Sequence, residues 1–129
     1  MKEYLCAILA TVGYLFIYLL GGWDVALQCL LLAIVFDYIS GMIKAYHTRT
    51  ISSKIGFQGI IKKVSILLIV MLGVLVDRVT GNTGAVRTLV IYYFVANEGL
   101  SVIENLGQSG VPIPPAIKKA LKALRKESK

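Results

Sequence analysis

The chain has 129 residues, 57% of them apolar and 16% charged, with a mean hydropathy of +0.74 and a formal net charge of +7. A soluble domain of this size cannot hide that much apolar surface, so composition excludes an ordinary soluble domain and indicates a polytopic membrane protein. Basic residues beside membrane spans set topology, so the positive balance calls for no nucleic-acid partner.

Four apolar stretches occur in chain order: Tyr4–Leu20, Val25–Ile43, Ile60–Val79 and Ala85–Ile103. A bilayer core about 30 Å thick needs about 20 mainly apolar residues per helical span. Residues 1–111 thus read as a transmembrane helical region and 112–129 as a basic cytoplasmic tail. The first stretch could be a signal peptide, but Gly21-Gly22-Trp23-Asp24 is a poor small-residue cleavage site. Tyr4, Tyr14, Tyr18 and Trp23 suit the headgroup interface, so it is read as a retained first helix. Cys6 and Cys29 lie inside apolar stretches and are expected to be small buried hydrophobes, with no disulfide or metal role.

The second stretch contains Asp37, an expensive group at membrane depth and hence a functional candidate. Ala33, Asp37, Gly41 and Ala45 are spaced by four and share one face, bordered by Ser40 and Lys44. Small residues there admit another helix backbone, which predicts a packing or oligomer face with Asp37 as its polar contact. The competing reading has Asp37 at the cytoplasmic interface or paired locally with Lys44.

A basic link follows, with Lys44, His47, Arg49, Lys54, Lys62 and Lys63. Ser52 and Ser53 can cap a helix beginning near Lys54 and running to Asp77. In that helix Lys62 and Lys63 would lay their stems on apolar surface with ammonium groups among the headgroups. Residues Ile55–Ile61 would then lie in the interface before the chain turns into the bilayer.

The fourth stretch is the most polar. Tyr93, Asn97, Ser101, Glu104 and Gln108 form one helical stripe, widened on an edge by Glu98 and Asn105. Such a helix cannot face lipid all round. Either the stripe is a hydrogen-bonded seam inside one monomer, or it lines an aqueous path once several copies assemble. After Pro112-Ile113-Pro114-Pro115, residues Ile117, Ala120, Leu121 and Leu124 recur at helical spacing among Lys118, Lys119, Lys122, Arg125, Lys126 and Lys129. This pattern fits a short basic amphipathic C-terminal helix on an anionic inner leaflet, or else a frayed tail.

With four spans, every Lys and Arg except Arg78 and Arg87 falls on one side together with both termini. The positive-inside rule makes that side cytoplasmic. The expected fold is therefore an all-α membrane protein with four transmembrane helices and both termini cytoplasmic. Lys44, Lys54, Lys62, Lys63, Lys118, Lys119 and Lys122 are its expected topology and headgroup contacts. No catalytic residue, metal cluster, cofactor motif or nucleotide fingerprint is evident.

The polar landmarks, taken in order, resemble a known family. They are Asp37-Tyr38-Ile39-Ser40-Gly41-Met42-Ile43-Lys44-Ala45, then Ser52-Ser53-Lys54-Ile55-Gly56-Phe57-Gln58-Gly59-Ile60-Ile61-Lys62-Lys63, then Asp77. Asn97-Glu98-Gly99-Leu100-Ser101-Val102-Ile103-Glu104-Asn105 and Gly110-Val111-Pro112-Ile113-Pro114 complete the series. Over roughly residues 25 to 124 the chain resembles the toxin-secretion and phage-lysis holin family of Gram-positive phages and prophages. The first span matches only in being hydrophobic. The resemblance implies a non-enzymatic protein of the host cytoplasmic membrane. It self-assembles and opens that membrane at a set time, so that endolysin, or in some relatives a toxin, passes out. It also implies the chain itself as partner, with endolysin as cargo and an antiholin as a possible regulator. The alternatives are a small channel or transporter, a membrane anchor subunit, or a regulatory antiholin.

Overall fold

A computed structural model describes residues 1–127 as five helices: α1 Lys2–Leu19, α2 Val25–His47, α3 Ser53–Thr80, α4 Ala85–Gln108 and α5 Pro115–Glu127. Lys129, counted above with the tail, lies outside the described residues. Helices α1 to α4 are each long and apolar enough to cross a membrane. The described residues are thus all-helical, with four helices able to span a membrane.

Local chemistry explains the helix ends. Asp24 precedes α2, and its side chain accepts from the Leu27 N–H at 3.0 Å, an ordinary N-cap bond. Gly81 closes α3 in the left-handed region at φ 72°, where glycine carries no Cβ penalty. Residue 84, before α4, is also glycine and has no capping side chain. Asp77 of the preceding helix supplies the cap, accepting from the Val86 N–H at 3.0 Å and the Arg87 N–H at 2.9 Å. Pro115 opens α5, a position where its missing N–H costs nothing.

One expectation changes here: Ser52 occupies the N-cap of α3 but makes no side-chain cap bond. The helix expected from near Lys54 to Asp77 is present as one uninterrupted 28-residue helix that includes Ile55–Ile61. No proline stands between Ser53 and Val64, and the single glycines Gly56 and Gly59 weaken the ladder without ending it. At 1.5 Å per residue α3 is about 42 Å long, which exceeds the hydrocarbon thickness and requires tilt or protrusion.

Helix α4 is the hub: α2, α3 and α5 all pack along it, whereas α2 and α3 barely touch. The core joins Leu20, Leu27, Leu30, Ile66, Val70 and Ile91. At Gly73 a Cβ would sit 3.4 Å from the Arg87 Cα, so the missing side chain sets the close approach of α3 to α4. Helix α1 contributes no buried residue of its own. Cys6 and Cys29, expected inside, are exposed free thiols. Cys6 lies on this unpacked α1, and both are small weakly polar groups that a lipid-facing surface tolerates.

Candidate functional site

Two polar clusters hold the bundle together, one near each end. The first joins α2, α3 and α4. Lys63 Nζ donates to Asp37 Oδ2 at 2.6 Å and to Glu98 Oε2 at 2.9 Å. Asn105 Nδ2 donates to Asp37 Oδ1 and to Ser40 Oγ, each at 3.1 Å. Ser40 Oγ in turn donates to the Asp37 carbonyl at 3.0 Å. The lysine and the two carboxylates are nearly out of reach of solvent, with side-chain exposures of 14% for Lys63, 15% for Asp37 and 4% for Glu98. Ions so desolvated persist only when paired and hydrogen-bonded, and here both Asp37 oxygens have donors.

The second cluster ties the opposite helix ends. Arg87 Nε donates to the Leu20 carbonyl at 2.6 Å. Its Nη1 reaches Asp24 Oδ2 at 2.7 Å, and Nη2 reaches Asp24 Oδ1 and the Gly22 carbonyl, each at 3.1 Å. One guanidinium thus binds a carboxylate through both oxygens and satisfies two carbonyls left over at the end of α1. The contact requires Gly21, where a Cβ would fall 2.5 Å from Arg87 Nε and where φ is +86°. Arg87 holds the Asp24 carboxyl below its ordinary pKa of 3.8 against the opposing effect of burial, and the Leu27 N–H acts in the same direction as Arg87. Beside it, Arg78 Nη2 donates to the Tyr18 carbonyl at 2.8 Å, and its guanidinium lies 4.1 Å from the centre of the Tyr18 ring.

The sequence-derived candidates distribute as follows. The Ala33, Asp37, Gly41 and Ala45 face is half-buried. Asp37 and Gly41 meet α4 of the same chain, the latter with its Cβ position 3.7 Å from Asn105 Nδ2. Asp37 pairs with Lys63 rather than Lys44, seven residues away on its own helix. Lys63, expected among the headgroup lysines with Lys44, Lys54 and Lys62, is turned inward instead. It shares the inner face of α3 with Ile66, Val70 and Asp77, all buried, whereas Lys62 points outward and is exposed.

The polar stripe of α4 divides in two. Glu98 and Asn105 turn into the bundle. Tyr93, Asn97 and Ser101 are half-buried, and Glu104 and Gln108 exposed, on another face. No side-chain hydrogen bond or ion pair is made by Asn97, Ser101, Glu104 or Gln108 among the described residues. In α5, Lys118, Lys119 and Lys122 are exposed. Leu121 rests on α4, 3.1 Å from the Cβ position of Gly99.

Sequence reasoning missed the Arg87–Asp24–Asp77 cluster. The available signal was an arginine and two aspartates at the borders of apolar stretches, where unpaired charges are costly. Among the described residues no group of three or more His, Cys, Asp or Glu side chains could hold a metal ion.

Fold and clusters together define a small multi-pass helical membrane protein whose buried charges join helices to one another. Residues 14–126 match the sequence model of the bacteriophage holin family, and the chain belongs to that family. It is similar to an uncharacterized 14.9 kDa protein in the nagH 3' region of Clostridium perfringens, with 42% identity over 90% of this chain and 89% of that protein. It is also similar to the uncharacterized protein YqxH of Bacillus subtilis, with 33% identity over 86% of this chain and 79% of the other. A probable holin of Bacillus phage phi105 is 30% identical over 79% of this chain and 76% of its own length. No solved structure matches the chain.

Proposed function

We propose that this protein is a lysis holin. It accumulates in the host cytoplasmic membrane with both termini inside, self-assembles, and permeabilises the bilayer to let endolysin, or a toxin, leave the cell. The observation that carries the reading is the division of α4. One face of this helix is committed to the monomer through Glu98 and Asn105. Another carries Asn97, Ser101 and Glu104 without side-chain partners among the described residues, at a level that hydrocarbon disfavours. Copies that meet through that face relieve the cost, and enough copies together surround water with it. Helix α5, with its lysines exposed, suits the anionic inner leaflet in the same arrangement.

The test is induced expression in a bacterium, with membrane potential and viability followed over time and endolysin co-expressed. Assembly above a threshold gives a silent phase, an abrupt collapse of potential, and then lysis dependent on endolysin. An ion leak that grows in proportion to protein from the outset, with endolysin retained, is the behaviour of a small channel and would overturn the proposal.

A further inference from the structure

Because α2 and α3 barely touch, a cavity of about 690 Å³ remains between the ends that carry the basic link. Its size falls within the roughly 300–1,000 Å³ usual for small-molecule sites. Three glycines make the room: Gly41 on α2, and Gly56 and Gly59 on α3, which lie against Tyr38. The lining is divided. Met42, Ile55, Phe57 and Ile60 supply apolar surface. Lys44, Thr50, Ser52 and Ser53 supply the polar part, with the Thr50 hydroxyl already bonded to that of Thr48. The Lys44 ammonium has no ion-pair partner among the described residues. Asp37 also lines the cavity, but Lys63 and Asn105 occupy its two oxygens.

We propose that this cavity binds one anionic phospholipid, with the phosphate at Lys44 and the Ser52 and Ser53 hydroxyls and an acyl chain along Met42 and Ile60. The inference rests on α2 and α3 crossing a bilayer and is independent of the lysis reading. A cationic and hydroxylic end joined to an apolar wall matches the two halves of such a lipid, and the sparse α2–α3 packing gives an acyl chain a way in from the side. Bound there, the lipid would fill the gap and add to the few α2–α3 contacts, those of Tyr38 with Gly56 and Gly59 and of Lys63 with Asp37.

The experiment uses the full chain, delipidated in detergent, and native mass spectrometry with added phosphatidylglycerol, phosphatidylcholine of the same acyl chains, or inorganic phosphate. One phosphatidylglycerol is expected to be retained in preference to phosphatidylcholine, with no phosphate adduct. Lys44→Gln should weaken retention about fivefold, the loss associated with one interfacial lysine. Ala45→Phe, which fills the cavity at unchanged charge, should abolish it, and circular dichroism should confirm that its helices persist. Lys126→Gln, on α5, should retain lipid as the parent does. Equal retention of both lipids, equal losses in Lys44→Gln and Lys126→Gln, or phosphate binding as tightly as lipid would overturn the proposal. So would an interchain disulfide at Ala45→Cys, made without Cys6 and Cys29, that forms while lipid retention is absent. That result would make the gap an interface between copies.

Discussion

Lys63 lies between two carboxylates, and each of its bonds crosses to a different helix. That geometry makes a specific demand on mutants. Lys63→Met leaves Asp37 and Glu98 buried without their cation, a change that costs about 3–5 kcal/mol when one partner of a buried pair is removed. Adding Asp37→Asn and Glu98→Gln removes the stranded charges and should restore most of the loss. Unfolding of purified protein in mixed micelles measures both steps, and a triple variant as unstable as the single one would show that the ions themselves are not what matters. Asp24 gives a pH test outside the spans. Its folded-state pKa is lowered from the ordinary 3.8, first by the Arg87 hydrogen bonds. Its contribution is therefore fully present above pH 3.8 and is lost as pH falls through the depressed value. Because the side chain is 51% exposed, screening holds the effect to about 1 kcal/mol or less. Unfolding curves should show Asp24→Asn less stable than the parent at neutral pH, with the gap closing only below about pH 4. At this scale the sequence was partly legible. The cost of Asp37 in lipid marked it as needing a partner, but its partner lies 26 positions away, beyond any local pattern. The inward run of Lys63, Ile66, Val70 and Asp77 was present in the periodicity and was obscured by Lys62, which is adjacent in sequence but points elsewhere.

At the level of the helix, α4 carries two different polar faces at once. Its inner face binds α2 and α3, and its outer polar groups make no side-chain hydrogen bond or ion pair among the described residues. Replacing Asn97 with Leu and Ser101 with Ala makes the outer face apolar without touching Glu98 or Asn105. Interhelical hydrogen bonds in membranes average about 0.6 kcal/mol and reach about 1–2. Self-association should therefore weaken by roughly three- to tenfold, measured by energy transfer between labelled copies in vesicles at a series of protein-to-lipid ratios. Association at the parental level would remove the stripe from the interface. The stripe and its spacing could be read from sequence because helical periodicity is local. Glu98 and Asn105 could be placed on its edge, but not assigned to the bundle interior, since that depends on Asp37 and Lys63 of other helices. Helix boundaries were more legible, because caps and turns are local: the helix expected to begin near Lys54 begins at Ser53, and the apolar span from Ile60 is only part of it.

For the whole molecule, the strongest constraint is where charge can reside. The two basic residues assigned outside by four crossings are Arg78 and Arg87, and the bundle engages both. Arg87 binds Asp24 and two carbonyls, and Arg78 binds the Tyr18 carbonyl and ring. That end therefore presents little positive charge left without a partner. At the opposite end Lys44, Lys54, Lys62 and the exposed lysines of α5 have no carboxylate partners among the described residues. Lysine and arginine near the ends of spans resist translocation, and carboxylates count for little in that rule, so the asymmetry in the residue count is what orients the chain. It predicts that Ser53 and the α5 tail face the cytoplasm and that Thr83, in the short turn between α3 and α4, faces outward. In a background without Cys6 and Cys29, a membrane-impermeant thiol reagent added to intact cells should label Thr83→Cys and leave Ser53→Cys unmodified until the membrane is opened. Labelling of Ser53→Cys from outside would invert or break the four-span arrangement. It would also remove the anionic inner leaflet from reach of the Lys44 cavity. Arg87→Gln offers an independent check on the same physics. It frees Asp24 and exposes the Leu20 and Gly22 carbonyls but changes the outside charge by only one unit. The fold should lose stability while the labelling pattern stays the same. An altered pattern would mean that Arg87 acts on insertion itself and not on packing after it.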